Sequence, residues 1–117
     1  VMRRSGAGGS IINVSSIEGF RGSPYNVAYT ACKHAVTGFT RAMALELSPD
    51  NIRVNTIAPE TTDTEQVPLD RMLDPKYRDN IPRWIPLGRF GLPSDCAGAY
   101  ATRTGSASSP CRTIESR

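Results

Sequence analysis

The spacing of apolar residues changes twice along the chain, and each change marks an element. In residues 10–16, SIINVSS, the apolar Ile11, Ile12 and Val14 crowd together without strict alternation, the pattern of a parallel strand covered on both faces. Two Gly and a Pro in IEGFRGSP, residues 17–24, break the pattern into a loop. From 26 to 47, Val36, Phe39, Met43 and Leu47 recur at i, i+3, i+7 and i+11, which predicts one long amphipathic helix with Val36, Phe39 and Met43 buried. Ser48-Pro49-Asp50-Asn51 ends it, because the residue before a proline disfavours helical geometry. A second apolar run, IRVNTIAP at 52–59, is closed by Pro59. Strand, helix and strand form a βαβ unit, expected to be parallel and to cross over right-handed. Two parallel strands cannot bury themselves, so the fold class expected is part of a doubly wound α/β parallel sheet, with the remainder upstream.

Beyond the second strand the pattern weakens. ETTDTEQ at 60–66 reads as a loop, and residues 65–86 as short helices over a site, carrying Leu69, Met72, Leu73, Tyr77, Ile81 and Trp84 between Pro68, Pro75, Pro82 and Pro86. Ser94 or Asp95 is expected to cap a helix starting at Cys96 or Ala97. After Tyr100 seven of seventeen residues are Ser or Thr and no period is visible. The expected organisation is therefore a partial domain at 1–100 and an atypical, disordered tail at 101–117.

Charge and composition mainly exclude. Of the formal +3, the tail supplies +2 through Arg103, Arg112 and Arg117 against Glu115. The rest is nearly neutral, so no basic face and no nucleic-acid partner are expected. Cys32, Cys96 and Cys111 are too irregularly spaced for a metal knuckle or a disulfide framework, which points to no metal and to a reducing, cytoplasmic setting. No run of about 18 apolar residues exists, so no membrane span is expected. The first residue is Val, consistent with a chain that begins inside a longer protein.

One constellation carries chemistry. Ser16 stands thirteen positions before Tyr29, and Tyr29 four before Lys33. Tyr29 and Lys33 share a helix face one turn apart. An ammonium within ~4–6 Å of a phenol favours the phenolate, which equips such a pair for general acid/base work. Ser16 falls at the carboxyl end of the first strand, where open α/β sheets place their ligands, and its hydroxyl could hold a substrate oxygen. A Tyr-x-x-x-Lys pair by itself is a weak motif, and its bland reading is a half-buried tyrosine beside a solvated lysine. The position of Ser16 and the βαβ context change that balance.

The runs GGSIINVSS, YTACK, GFTRAMALEL and IRVNTIAP, in this order, resemble the C-terminal half of the classical short-chain dehydrogenase/reductase (SDR) family over residues 1–100. The resemblance implies a partial Rossmann-type domain and reversible hydride transfer between a secondary alcohol and a ketone, with NAD or NADP as cofactor. It implies Tyr29 as acid/base, Ser16 as the residue that orients substrate, and Lys33 as support for Tyr29 and ligand of the nicotinamide ribose. It further implies that the Pro59-Glu60-Thr61-Thr62-Asp63-Thr64 segment binds cofactor. Pro59 matches, Thr62 corresponds to a position of backbone contacts, and Thr64 to the Thr that bonds the carboxamide. Glu60 replaces a customary Gly, and Gly tolerates positive φ and close ligand approach where Glu does not. Loop capping is the bland alternative for Thr62 and Thr64. The implied partners are a small alcohol or ketone and, in the full-length form, further copies of the subunit packed through the 26–47 helix.

The departures matter as much. The family's glycine-rich phosphate loop follows a strand and opens a helix. GAGGS at 6–10 instead precedes a strand. The last apolar strand of the family has no counterpart in ATRTGSASSPCRTIESR. The alternative function is accordingly a truncated fragment, catalytically silent alone and at most an oligomerisation element. His34 is expected to face a neighbour or solvent, and Cys32 to be inert packing.

Overall fold

The computed structural model describes residues 1–65, 67–72, 74–76, 85–101 and 112–114. They divide into two compact units, one built from residues 1–58 with 112–114, the other from the described part of 59–101.

In the first unit a short helix, α1 (Met2–Ser5), leads into strand β1 (Gly9–Val14), then helix α2 (Val27–Leu47) and strand β2 (Ile52–Ala58). β1 and β2 are parallel, in a register that sets Ile11 beside Val54 and Val14 beside Ile57. This is the expected βαβ unit, with α2 beginning one residue later than the sequence suggests. The helix passes through Ser48 into a 3₁₀ turn over Ser48–Asp50 that carries Pro49, and Asn51 at φ 55° reverses the chain into β2. Arg3 of α1 clamps this corner, its guanidinium 2.6 Å from Asp50 Oδ2.

Leu47, Ile52 and Val54 are buried together, with Ile11, Met43 and Ala44 packed on them. α2 therefore covers the sheet face formed by alternate residues of both strands, as the period-two geometry of a strand requires. The helix stripe turned inward differs from the expected one. Thr37 and Thr40 are buried, whereas Phe39, expected in the core, is 57% exposed. The inward line runs through positions 37, 40, 44 and 47, and Phe39 lies off it. The two threonines tolerate burial because each hydroxyl donates to the carbonyl four residues earlier, Lys33 and Val36 respectively. Cys32, expected in packing, is exposed.

A third strand, β3 (Arg112–Ile114), lies antiparallel against the end of β2, with Ile57 opposite Thr113, giving the order β1-β2-β3. No strand period marks these residues in the sequence. The remainder of the expected tail, residues 102–111 and 115–117, lies outside the described residues.

The second unit contains helices α3 (Leu69–Met72) and α4 (Pro93–Ala101). α4 starts three residues before the position expected from Cys96. Proline suits the first helical position, where its missing N–H would have had no partner. Asp95 does not cap by preceding the helix but by reaching back from its first turn, accepting from the Leu92 N–H at 2.7 Å. Leu73, Tyr77, Ile81 and Trp84, expected over a site, lie outside the described residues.

Candidate active site

Ser16 follows β1 by two residues and caps a 3₁₀ turn over Ile17–Gly19. It is 8% exposed. Its oxygen accepts from the Glu18 N–H at 3.3 Å, and its hydroxyl donates to Glu18 Oε2 at 3.0 Å. Arg21 stands on the far side of the same carboxylate, 3.4 Å from Oε1.

Tyr29 lies in the first turn of α2 and is half exposed, and its hydroxyl has no hydrogen-bond partner among the described residues. One turn on, the Lys33 ammonium sits 5.5 Å from the centroid of the Tyr29 ring. That ammonium also donates to the Val14 carbonyl at 3.3 Å, tying the helix face to the last residue of β1. Lys33 thus stands between Tyr29 and the strand end that leads to Ser16. The Ser16 hydroxyl itself is engaged by Glu18 and not by Tyr29.

Beneath these groups is a fixture that spacing alone does not announce. Ser15, 3% exposed, donates to the Lys33 carbonyl at 3.0 Å and lies 3.1 Å from the Thr37 hydroxyl. Gly19 presses on the same spot. A Cβ there would come within 2.8 Å of the Lys33 carbonyl oxygen and of Thr37 Oγ1, and would collide with Ser15 Oγ. Only the absence of a side chain lets the turn approach the helix this closely. The available signals were the first Ser of the SS pair and a Thr four residues after Lys33, one turn along the same face.

Of the cofactor-binding residues implied by the resemblance, Tyr29 and Lys33 fall in the first unit, and Pro59, Glu60, Thr62 and Thr64 in the second. Glu60 does not adopt a positive φ, so the strain expected from replacing Gly is absent. Its carboxylate turns back to accept from the Thr61 N–H at 3.2 Å and lies 3.3 Å from the Thr61 hydroxyl. The Thr62 hydroxyl donates to the Glu60 carbonyl at 2.8 Å. Thr64 Oγ1 accepts from the Val67 N–H at 3.1 Å, which leaves its own proton available. Asp63 Oδ1 accepts from the Leu69 N–H at the start of α3. Residues 61–63 are held to Gly91 by two backbone bonds, Asp63 N–H to the Gly91 carbonyl and Gly91 N–H to the Thr61 carbonyl. Pro59 precedes this loop directly.

Lys33 uses one N–H on Val14 and keeps two further donors, and the Thr64 hydroxyl keeps its own proton, so each could donate to an oxygen of a nucleotide ligand. His34 Nδ1 lies 3.0 Å from the Thr30 carbonyl, a neighbour contact within the helix. No metal-binding cluster exists among the described residues, and no helix of them is long and apolar enough to cross a membrane.

A parallel β-α-β crossover with its polar cluster beyond the carboxyl end of β1 is part of a Rossmann-type α/β sheet. The family described as enoyl-(acyl carrier protein) reductase matches residues 1–109, and the chain belongs to the short-chain dehydrogenase/reductase family. It is 42% identical over 91 residues to the 3-oxoacyl-(acyl-carrier-protein) reductase FabG of Chlamydia trachomatis, covering 78% of this chain and 36% of the relative. Among solved structures, 4-hydroxyisoleucine dehydrogenase complexed with NADH matches with a TM-score of 0.71 at 32% identity, over 88% of this chain and 41% of that one. ElxO with NADP bound matches with a TM-score of 0.72 at 34% identity, over 85% and 40%. The chain spans between about a third and two fifths of the length of these relatives.

Proposed function

We propose that this chain carries the acid–base half of an oxidoreductase site that interconverts a secondary alcohol and a ketone with NAD or NADP. The supporting observation is the Lys33 ammonium, tethered to Val14 and standing over the Tyr29 ring, while the Tyr29 hydroxyl is unpartnered and open to a ligand. In ketone reduction Tyr29 gives its phenolic proton to the substrate oxygen, and Ser16 donates a second hydrogen bond to that oxygen. Lys33 offsets the negative charge left on the phenolate and offers its remaining N–H groups to the ribose. The nicotinamide, when bound, supplies the hydride to the carbon, so proton and hydride together make the alcohol. Thr64 donates to the carboxamide, with Pro59, Glu60 and Thr62 lining the same group. NADH and NADP in the two structural relatives support either cofactor. The substrate is a small alcohol or ketone, the setting cytoplasmic, and the full-length form a homo-oligomer.

The test is NAD(P)H-dependent ketone reduction by the polypeptide that joins this chain to a dinucleotide-binding half. Tyr29→Phe is expected to lower kcat by about 10²–10⁴-fold, the usual contribution of general acid/base catalysis, with folding retained. Unchanged turnover would reject Tyr29.

A second reading, a silent fragment, is favoured by the absence of a strand–glycine loop–helix order in the sequence. Titrating the chain with NADH and NADPH while following nicotinamide fluorescence tests this reading. No saturable binding is expected of the chain alone, and tight saturation would discard the fragment reading.

A further inference from the structure

The Ser16 hydroxyl has a single proton, and Glu18 Oε2 holds it at 3.0 Å. If Ser16 is to grip a substrate oxygen, as the proposed function requires, that bond must open. A carboxylate whose side chain is 14% exposed then loses a donor. Leaving such a group unsatisfied disfavours the bound state. A ligand can restore the balance only by bringing its own donor to Oε2 in the same step.

We propose that Glu18 is a specificity residue that selects α-hydroxy ketones, and in the reverse direction vicinal diols, over simple ketones and 2-oxo acids. Adjacent carbons place two oxygens within hydrogen-bonding distance of each other, matching the spacing between Ser16 Oγ and Glu18 Oε2. The ketone oxygen takes the Ser16 proton, and the neighbouring hydroxyl donates to Oε2 in place of Ser16. A simple ketone leaves Oε2 empty. A 2-oxo acid sets a carboxylate against Glu18, and the Arg21 guanidinium, half exposed and 3.4 Å away on Oε1, only partly offsets the like charge.

The experiment uses the full chain labelled with ¹⁵N and follows its amide spectrum, so it needs neither turnover nor cofactor. Hydroxyacetone, acetone and pyruvate serve as probes. Hydroxyacetone is expected to shift the amides of Ser16, Glu18 and Tyr29 with at least about tenfold lower apparent Kd than acetone, the usual scale of a charge-assisted hydrogen bond. Pyruvate is expected to bind weakest. Glu18→Ala should erase the preference for hydroxyacetone. Glu18→Gln, which keeps an acceptor but loses the charge, should keep that preference and relieve the penalty on pyruvate. Equal affinities for the three probes in the wild-type chain would overturn the proposal, as would a hydroxyacetone preference that survives Glu18→Ala. So would a wild-type spectrum without a folded Ser16–Glu18 turn. Equal binding that still shifts Tyr29 would leave the acid–base reading standing, whereas probes that shift Glu18 but never Tyr29 would count against that reading too.

Discussion

The two units hold their polar side chains by different means. In the first, the bonds around the candidate acid–base pair join residues far apart in sequence: Ser15 to Lys33 and Thr37, Lys33 to Val14, Asn13 to Thr40, Thr56 to Asn13. In the second, the side-chain bonds of Thr62, Thr64, Asp63 and Asp95 among the described residues span no more than six residues. The acid–base pair is thus tied into the fold through side chains, whereas the cofactor loop is tied to Gly91 through its backbone and its side chains bond close by in sequence. A substitution in the first set should disturb the whole βαβ unit, and one in the second only its own turn.

Gly19→Ala is the strongest way to break this contrast. The added methyl meets the Lys33 backbone carbonyl and Thr37, and a cost of about 1–3 kcal/mol is expected from overpacking. Urea denaturation should show a lower midpoint with an unchanged slope, while an unchanged midpoint would mean the turn is not pressed against α2. Ser15→Ala comes next, losing about 1 kcal/mol as the Lys33 carbonyl gives up one of its two hydroxyl donors. The same denaturation assay reads it.

The effects of local changes should be smaller. Asp63→Ala removes the acceptor at the start of α3 and should cost about 0.5–1 kcal/mol, visible as faster amide exchange at Leu69. A drop in the stability of the βαβ unit as well would erase the distinction drawn between the units. Smallest is a pH effect on α4. The Arg89 fork and the Leu92 N–H hold the Asp95 carboxyl down at about 2, below its ordinary 3.8. A lowered folded value stabilises above the ordinary one, so the contribution is complete above pH ~4 and vanishes as pH falls through about 2. Exchange at the Leu92 amide should quicken over that window in the wild type but not in Asp95→Asn.

The same contrast explains what the sequence disclosed. The βαβ unit was legible because burial on both faces of a parallel strand and a 3.6-residue period leave plain traces. The positions of Ser16 just past a strand and of Lys33 one turn beyond Tyr29 were legible because a strand end and one helix turn fix such spacings. Phe39 misled, since its apolar character fits an inward stripe as well as Met43 does, and threonines at 37 and 40 face inward only because each can bond a carbonyl one turn back. Gly19 and Ser15 were hidden because their partners lie fourteen to twenty-two residues away. At Glu60 the expected left-handed backbone is absent, because residue type alone does not establish φ. β3 pairs through its backbone, and no side-chain period at 112–114 announced it.

The proposed acid–base chemistry requires Tyr29 and Lys33 to act as one unit. A double-mutant cycle on kcat, with Tyr29→Phe, Lys33→Met and the pair, measures that directly in the polypeptide that completes the cofactor site. The double variant is expected to be no slower than the slower single one, because the ammonium has nothing left to assist once the phenol is gone. Losses that simply multiply would show two independent residues and contradict the account.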